Sequence, residues 1–201
     1  QIFGNIYADI NFTKDLSLRS ELSGNFDFST NEGFQPQTTF GKYTTPNPTS
    51  SSYSSAQNIF TVVRNYLTYN QTFGKNNLNV LLGHESNMSK SASVFASRSD
   101  FPSNNVQSIS SGDPSTARNG GSYGDGASES YFSRINFSWL DKYLFTANIR
   151  RDGSDKFPSY DRWAFSYSGA FAWKINNEKF LESVKAINEL KLRLGYGLTN
   201  K

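Results

Sequence analysis

The sequence predicts an all-β fold, a transmembrane antiparallel β-barrel, on three observations. Apolar residues recur at every second position, which is strand alternation rather than helix spacing. The strands so defined run about nine to fifteen residues, against roughly 9–11 needed to cross a bilayer at a tilt and about 5–6 in ordinary globular sheets. The connections alternate between tight turns at 13–15, 74–77 and 140–142 and much longer polar stretches. Short turns on one side and large loops on the other are the asymmetry of outer-membrane barrels, and a soluble sandwich has no physical reason for it.

The clearest stretch is Tyr131 to Trp173. Tyr131, Ser133, Ile135, Phe137 and Trp139 share one side of a ribbon, with Phe132, Arg134, Asn136 and Ser138 on the other. After Leu140-Asp141-Lys142 the pattern restarts with Tyr143, Phe145, Ala147 and Ile149, so the turn predicts a hairpin. A third strand carries Trp163, Phe165, Tyr167, Gly169, Phe171 and Trp173. Aromatic residues begin and end these apolar faces, where a membrane barrel places its interfacial girdles.

In chain order, Ile2 to Phe12 and Leu16 to Phe28 alternate and form a first hairpin. The Ser-, Thr-, Pro- and Gln-rich residues from about 29 to 58 read as a long outward loop. A second hairpin follows, Ile59 to Phe73 and Leu78 to about Met88. Its first strand is apolar on both sides, and Arg64 decides the faces. A guanidinium at the lipid midplane costs about 2–4 kcal/mol, so Arg64 points inward while Val63, Leu67 and Tyr69 point outward. A second long outward loop, rich in Ser, Asn and Gly, covers about 89 to 130. Beyond Trp173, residues Asn177 to Ala186 read as one or two helical turns with Phe180, Leu181 and Val184 on one side, before a last strand from Leu190 to Leu198. The count is about eight strands.

Composition narrows the functions. Without cysteine there is no disulfide framework, thiolate site or cysteine nucleophile, and one histidine, His84, leaves little material for a zinc hydrolase or a histidine-based triad. The net charge of +3 is spread along the chain, which argues against nucleic acid as a partner. Mean hydropathy of −0.59 beside 15% aromatic residues fits a barrel, half of whose strand positions face water. No basic and apolar succession opens the chain, so no signal peptide is expected in it.

The strings YFSRINFSWLDKYLFTANIRRDGSDKF, RWAFSYSGAFAWKINNEKFL and INELKLRLGYGLTN resemble the barrel of SusC/RagA-type TonB-dependent transporters of the Bacteroidota outer membrane. The resemblance is dense from Tyr131 to Lys201, extends to Asn65–Glu85 and the first hairpin, and does not cover the two loops. Arg150-Arg151-Asp152-Gly153-Ser154 with Arg162-Trp163 is its most specific feature. It implies that residues 1–201 are part of one barrel domain of twenty-two strands, with the plug and N-terminal domains absent. It also implies a SusD-like surface lipoprotein, the TonB-ExbB-ExbD system acting through parts outside this chain, a lipid bilayer around the wall, and glycan or peptide cargo.

No residue pattern supports an enzyme, a metal site or a cofactor. Arg150 to Asp155 lacks the downstream Glu of a calcium loop, and Glu129 and Asp141 have no partner the sequence can bring near. Arg19, Glu21, Arg64, Arg134, Arg150 and Arg193, with Asp27, Glu85 and Lys191, are candidate lumen-facing groups that line a solute path, lock a plug, or form a hydrated wall. His84 falls about 20 Å along its strand from the turn, at the level of the outer interface, as a neutral imidazole on the outward face. The aromatics Phe34, Tyr43, Tyr53, Phe101 and Tyr123 are candidate cargo contacts in the loops, or plain loop anchors. Two other readings stay open: a complete eight-stranded barrel acting as an adhesin or anchor, and a soluble β-sandwich binding module.

Overall fold

The computed structural model describes residues 1–44, 47–181 and 188–199. Eight long strands pair in one sheet in the order β1-β2-β5-β6-β7-β8-β9-β10. They are β1 (Ile2–Asn11), β2 (Leu16–Gln35), β5 (Ser50–Phe73), β6 (Asn76–Ser99), β7 (Arg118–Trp139), β8 (Tyr143–Ser154), β9 (Trp163–Lys174) and β10 (Lys191–Thr199). A two-residue pair, β3 (Thr39–Phe40) and β4 (Tyr43–Thr44), forms a separate ribbon.

Two compact units divide the chain. The first comprises Gln1–Gly4, Gly24–Phe60 and Ser89–Asp125; the second comprises Asn5–Ser23, Thr61–Met88 and Gly126–Lys201.

In the second unit, antiparallel register builds apolar columns across strands. Phe137 stands opposite Phe145, Phe145 opposite Phe171, and Phe171 opposite Leu194. One step nearer the turn, Trp139, Tyr143, Trp173 and Leu192 align in the same way, with the Trp139 and Tyr143 ring centroids 5.5 Å apart. Cross-strand aromatic pairs of this kind hold a sheet together. They do not make a core. Among the described residues only Val62 and Phe101 are buried large hydrophobics, while Phe145 is 45% and Leu194 62% exposed. A β-sandwich buries the inner faces of two sheets against each other, and here the described residues supply one large sheet with its apolar face uncovered. The soluble sandwich is therefore wrong. The sheet is also open, with β1 and β10 as its edges, so the described residues do not form a closed eight-stranded barrel.

The loop boundaries expected from composition are corrected too. β2 runs on to Gln35 and β5 begins at Ser50, while β6 continues to Ser99 and β7 starts at Arg118. The connections shrink to 36–49 and 100–117. The Ser- and Gly-rich runs read as loop because they lack side chains of high strand propensity, but pairing with a neighbour overrides that preference. Ser93 and Ser122 join their hydroxyls at 2.8 Å, and the Ser91 hydroxyl donates to the Gly124 carbonyl at 3.4 Å. Where the expected helical stretch is described, up to residue 181, the chain forms two 3₁₀ turns, Ile175–Asn177 and Lys179–Leu181. Phe180 and Leu181 belong to the second; Val184 lies outside the described residues.

The tight turns have distinct chemistry. Phe73 and Asn76 are joined by two residues, and Gly74 adopts φ 62°, which only glycine takes without strain. Leu140 and Asp141 hold φ of 55° and 53° with no glycine at either place. Neighbours fix that strained turn: the Leu140 amide donates to Asn76 Oδ1 at 2.9 Å, and Lys174 Nζ meets Asp141 Oδ1 at 2.6 Å.

Candidate functional site

The polar face of the second unit carries the functional candidates, arranged in rows that cross the strands. Nearest the tight turns, Asn79 donates to Asn70, Asn136 Nδ2 to Asn79 Oδ1 at 3.2 Å, and Thr146 Oγ1 to Asn136 Oδ1 at 2.9 Å. The next row is Arg134, whose Nε donates to Asn148 Oδ1 at 2.7 Å, with Asn148 Nδ2 donating to Ser168 Oγ at 3.0 Å. An aromatic step follows, Tyr66 beside Phe132 at 6.1 Å between centroids. The Arg150 guanidinium lies 5.2 Å above the Phe132 ring.

The charged row is the densest. Arg64 Nε donates to Glu85 Oε2 at 2.7 Å and its Nη1 to Glu21 Oε1 at 3.3 Å. Ser23 Oγ donates to Glu21 Oε1 and Asn87 Nδ2 to Glu85 Oε1, at 3.0 and 3.2 Å. Farther along, Arg150 Nε reaches both Asp152 oxygens at 2.7 and 2.9 Å, while Ser130 Oγ donates to Asp152 Oδ1 at 2.6 Å. Glu85, Asn87, Ser130, Arg150 and Asp152 line one cleft of ≈ 330 Å³. Two guanidinium groups against three carboxylates leave one net negative charge along the row. Every one of these groups has a partner, so the row is held in place with its hydrogen-bonding atoms oriented.

Arg19 stands apart in the same unit, 3.3 Å from Asp9 and 4.4 Å above the Tyr7 ring. Arg193 on β10 faces its neighbour at Ala172 and forms no ion pair among the described residues. Asp27, in the first unit, accepts from Asn25 at 3.0 Å.

The opposite, apolar face holds a feature that sequence reasoning saw only as a lone histidine. Ser20 Oγ donates to Asn65 Oδ1 at 2.8 Å, and Asn65 Nδ2 lies 3.3 Å from His84 Nδ1. His84 Nε2 is 3.0 Å from Glu129 Oε1, which also accepts from the Tyr131 hydroxyl at 2.6 Å. With the ring proton of His84 on Nε2, each link of this chain has one donor and one acceptor. Glu129 thus has partners that spacing along the chain did not reveal.

The Arg150–Ser154 motif gains a physical reason. Arg150 and Asp152 pair on the polar face, whereas the Arg151 guanidinium stacks 4.4 Å from the Trp163 ring on the other. Gly153 lies directly under Trp163: a β-carbon there would fall 2.8 Å from two indole carbons. The motif thus packs on both faces of β8, Arg150 with Asp152 on one and Arg151 and Gly153 against Trp163 on the other.

The aromatic candidates disperse. Phe34, Tyr53 and Tyr123 sit on strands, not in loops, and Tyr43 on the small β3–β4 ribbon. Tyr43 and Tyr123 are 81% and 70% exposed. Phe101 is 7% exposed, packed edge-on against Phe34 at 5.4 Å, with its amide donating to Thr49 Oγ1 at 2.7 Å. Its burial against Phe34 and its bond to Thr49 anchor the 100–117 connection.

At the tight-turn end, Glu178 receives three donors: Lys142 Nζ at 2.6 Å, the Tyr143 hydroxyl at 2.7 Å and Trp173 Nε1 at 3.1 Å. The Lys142 ammonium first, then the two ring donors, hold its carboxyl down to about 2. Nothing in the sequence marked Glu178, because its partners lie on two other elements.

Comparison with known proteins agrees with this geometry. The family model described as TonB dependent receptor-like, beta-barrel matches residues 3–200. TonB-dependent receptor P3 of Formosa agariphila is 31% identical over 97% of this chain, and TonB-dependent receptor SusC of Bacteroides thetaiotaomicron is 49% identical over 36% of it. The chain spans 19% and 7% of the lengths of those relatives. Among solved structures, the RagAB peptide transporter superposes with a TM-score of 0.86 at 22% identity, over 96% of this chain and 22% of that one. The chain belongs to the TonB-dependent receptor-like β-barrel family.

Proposed function

We propose that this segment is part of the wall of an outer-membrane importer driven through TonB, with its polar face lining the solute path and its apolar face set in lipid. The observation that carries the reading is the two-sidedness of the sheet. The paired row Glu21–Arg64–Glu85 with Arg150–Asp152 needs water or polar solute beside it, and the Phe137–Phe145–Phe171–Leu194 column needs lipid. The wall performs no chemistry. It contributes rigidity and oriented polar groups, while energy enters from TonB, ExbB and ExbD through parts of the protein outside this chain. The cargo is a glycan or a peptide, presented under a SusD-like surface lipoprotein; the likeness to SusC and to a peptide transporter supports that pairing.

Arg150 and Asp152 test the path. In the full-length protein, Arg150→Ala and Asp152→Ala should each lower uptake of fluorescent oligosaccharide or peptide cargo at least several-fold while surface abundance is unchanged. Unaltered uptake in both variants would remove these residues from the path. Uptake that persists when TonB is deleted would remove the energised mechanism.

A further inference from the structure

The first unit contains a cleft of ≈ 410 Å³ with a composition unlike the charged row. Its lining includes Glu32 and Phe34 of β2, Ser51 and Tyr53 of β5, and Gln107 and Ser108 of the 100–117 connection. Alternation along β2 puts Glu32 and Phe34 on the side of Phe26 and Phe28, opposite Asn25 and Asp27. The cleft therefore opens on the face away from the polar alternation that would line a solute path.

Its walls are built and fixed. The Phe34 ring is braced edge-on by buried Phe101, and the connection is tied down at both Thr49 and Ser51. The Ser51 hydroxyl donates to the Gln107 carbonyl at 3.2 Å, and the Gln107 side-chain amide donates to the Asn104 carbonyl at 3.0 Å. Among the described residues the Gln107 side-chain oxygen accepts no hydrogen bond. Glu32 and the Tyr53 hydroxyl likewise form no hydrogen bond or ion pair among the described residues, and Tyr53 is 38% exposed.

We propose that this cleft binds a neutral saccharide ring. No lysine or arginine lines it, so an anion has nothing to meet. A single carboxylate is too few oxygen ligands of the charged kind for a divalent cation. Two aromatic rings match the C–H face of a pyranose, while the Glu32 carboxylate and the Gln107 oxygen accept from its hydroxyls and the serine hydroxyls serve either way. The ring can come from a free oligosaccharide or from the sugar headgroup of a neighbouring glycolipid.

The test uses the full-length transporter in lipid nanodiscs. Saturation-transfer NMR with maltohexaose as the free probe, and with nanodiscs containing or lacking lipopolysaccharide as the second arm, reads both sources. Wild type should transfer saturation to sugar ring protons in at least one arm, and the responding arm names the source. Glu32→Gln and Tyr53→Ala should each weaken that binding at least ten-fold, and Glu32→Gln should leave cargo uptake unchanged. No transfer to sugar in either arm would overturn the proposal, as would sugar binding that survives both substitutions. So would tighter binding of choline than of maltohexaose, since the cleft would then be an ammonium site.

Discussion

Gly153 supplies the sharpest test of how the sheet is packed. A β-carbon at this position falls 2.8 Å from Trp163 Cε3 and Cζ3, where about 3.6 Å is needed for van der Waals contact, so the indole must retreat by about 0.8 Å. Retreat is resisted, because the Arg151 guanidinium lies 4.4 Å from the same ring and Tyr131 stands 6.2 Å away. Overpacking of this kind costs about 1–3 kcal/mol, and replacing a strand glycine by alanine returns about 0.5–1 kcal/mol of backbone entropy. Gly153→Ala should therefore destabilise the barrel by up to about 2.5 kcal/mol. In a Trp163→Ala background the obstacle is gone, and the same change should become stabilising by about 0.5–1 kcal/mol. Urea unfolding of the full-length protein in detergent, read by heat-modifiable gel mobility, measures all four variants of the cycle. A Gly153→Ala cost that is the same with and without Trp163 would refute the packing argument.

Arg64→Ala leaves Glu85 without its 2.7 Å partner and should cost about 1 kcal/mol in urea unfolding, with Arg64→Met no better, since neither restores the charge. Leu140→Gly relieves a φ of 55° and should stabilise the turn by up to about 1 kcal/mol, seen as a higher urea midpoint. Glu178 has a folded carboxyl depressed to about 2 from a usual value of 4.5. Its contribution is complete above pH 4.5, fades as pH falls through that interval, and is gone below about 2. Glu178→Gln should thus lower stability at pH 7 and flatten its acid dependence between those limits, measured as urea midpoint against pH.

Much of the fold is legible in the sequence because its signal is local. Period-two alternation from Tyr131 to Trp173 needs no knowledge of neighbours, and it yields β7, β8 and β9 with their common apolar face. The placement of Arg64 opposite Val63 follows from one transfer cost. What escaped the sequence depends on register. Ser93 and Ser122 stabilise strands only because the chain brings them together, so their segments read as loop. Glu21, Arg64 and Glu85 are far apart in sequence and form one row only once three strands are aligned. The Ser20–Asn65–His84–Glu129 chain is hidden for the same reason: each member alone reads as a stray polar residue on a greasy face. Phe101 looked like an available loop aromatic, and its burial against Phe34 is a tertiary contact that composition does not encode.

The central claim is that one face of this wall meets water and the other meets lipid. Single cysteines placed at Arg134, Ile135, Asn136 and Phe137 of β7, in a cysteine-free full-length background, test it directly when treated in whole cells with a small charged thiosulfonate. Alternation is expected: modification at 134 and 136, and protection at 135 and 137. Uniform reactivity, or the reverse alternation, would contradict it.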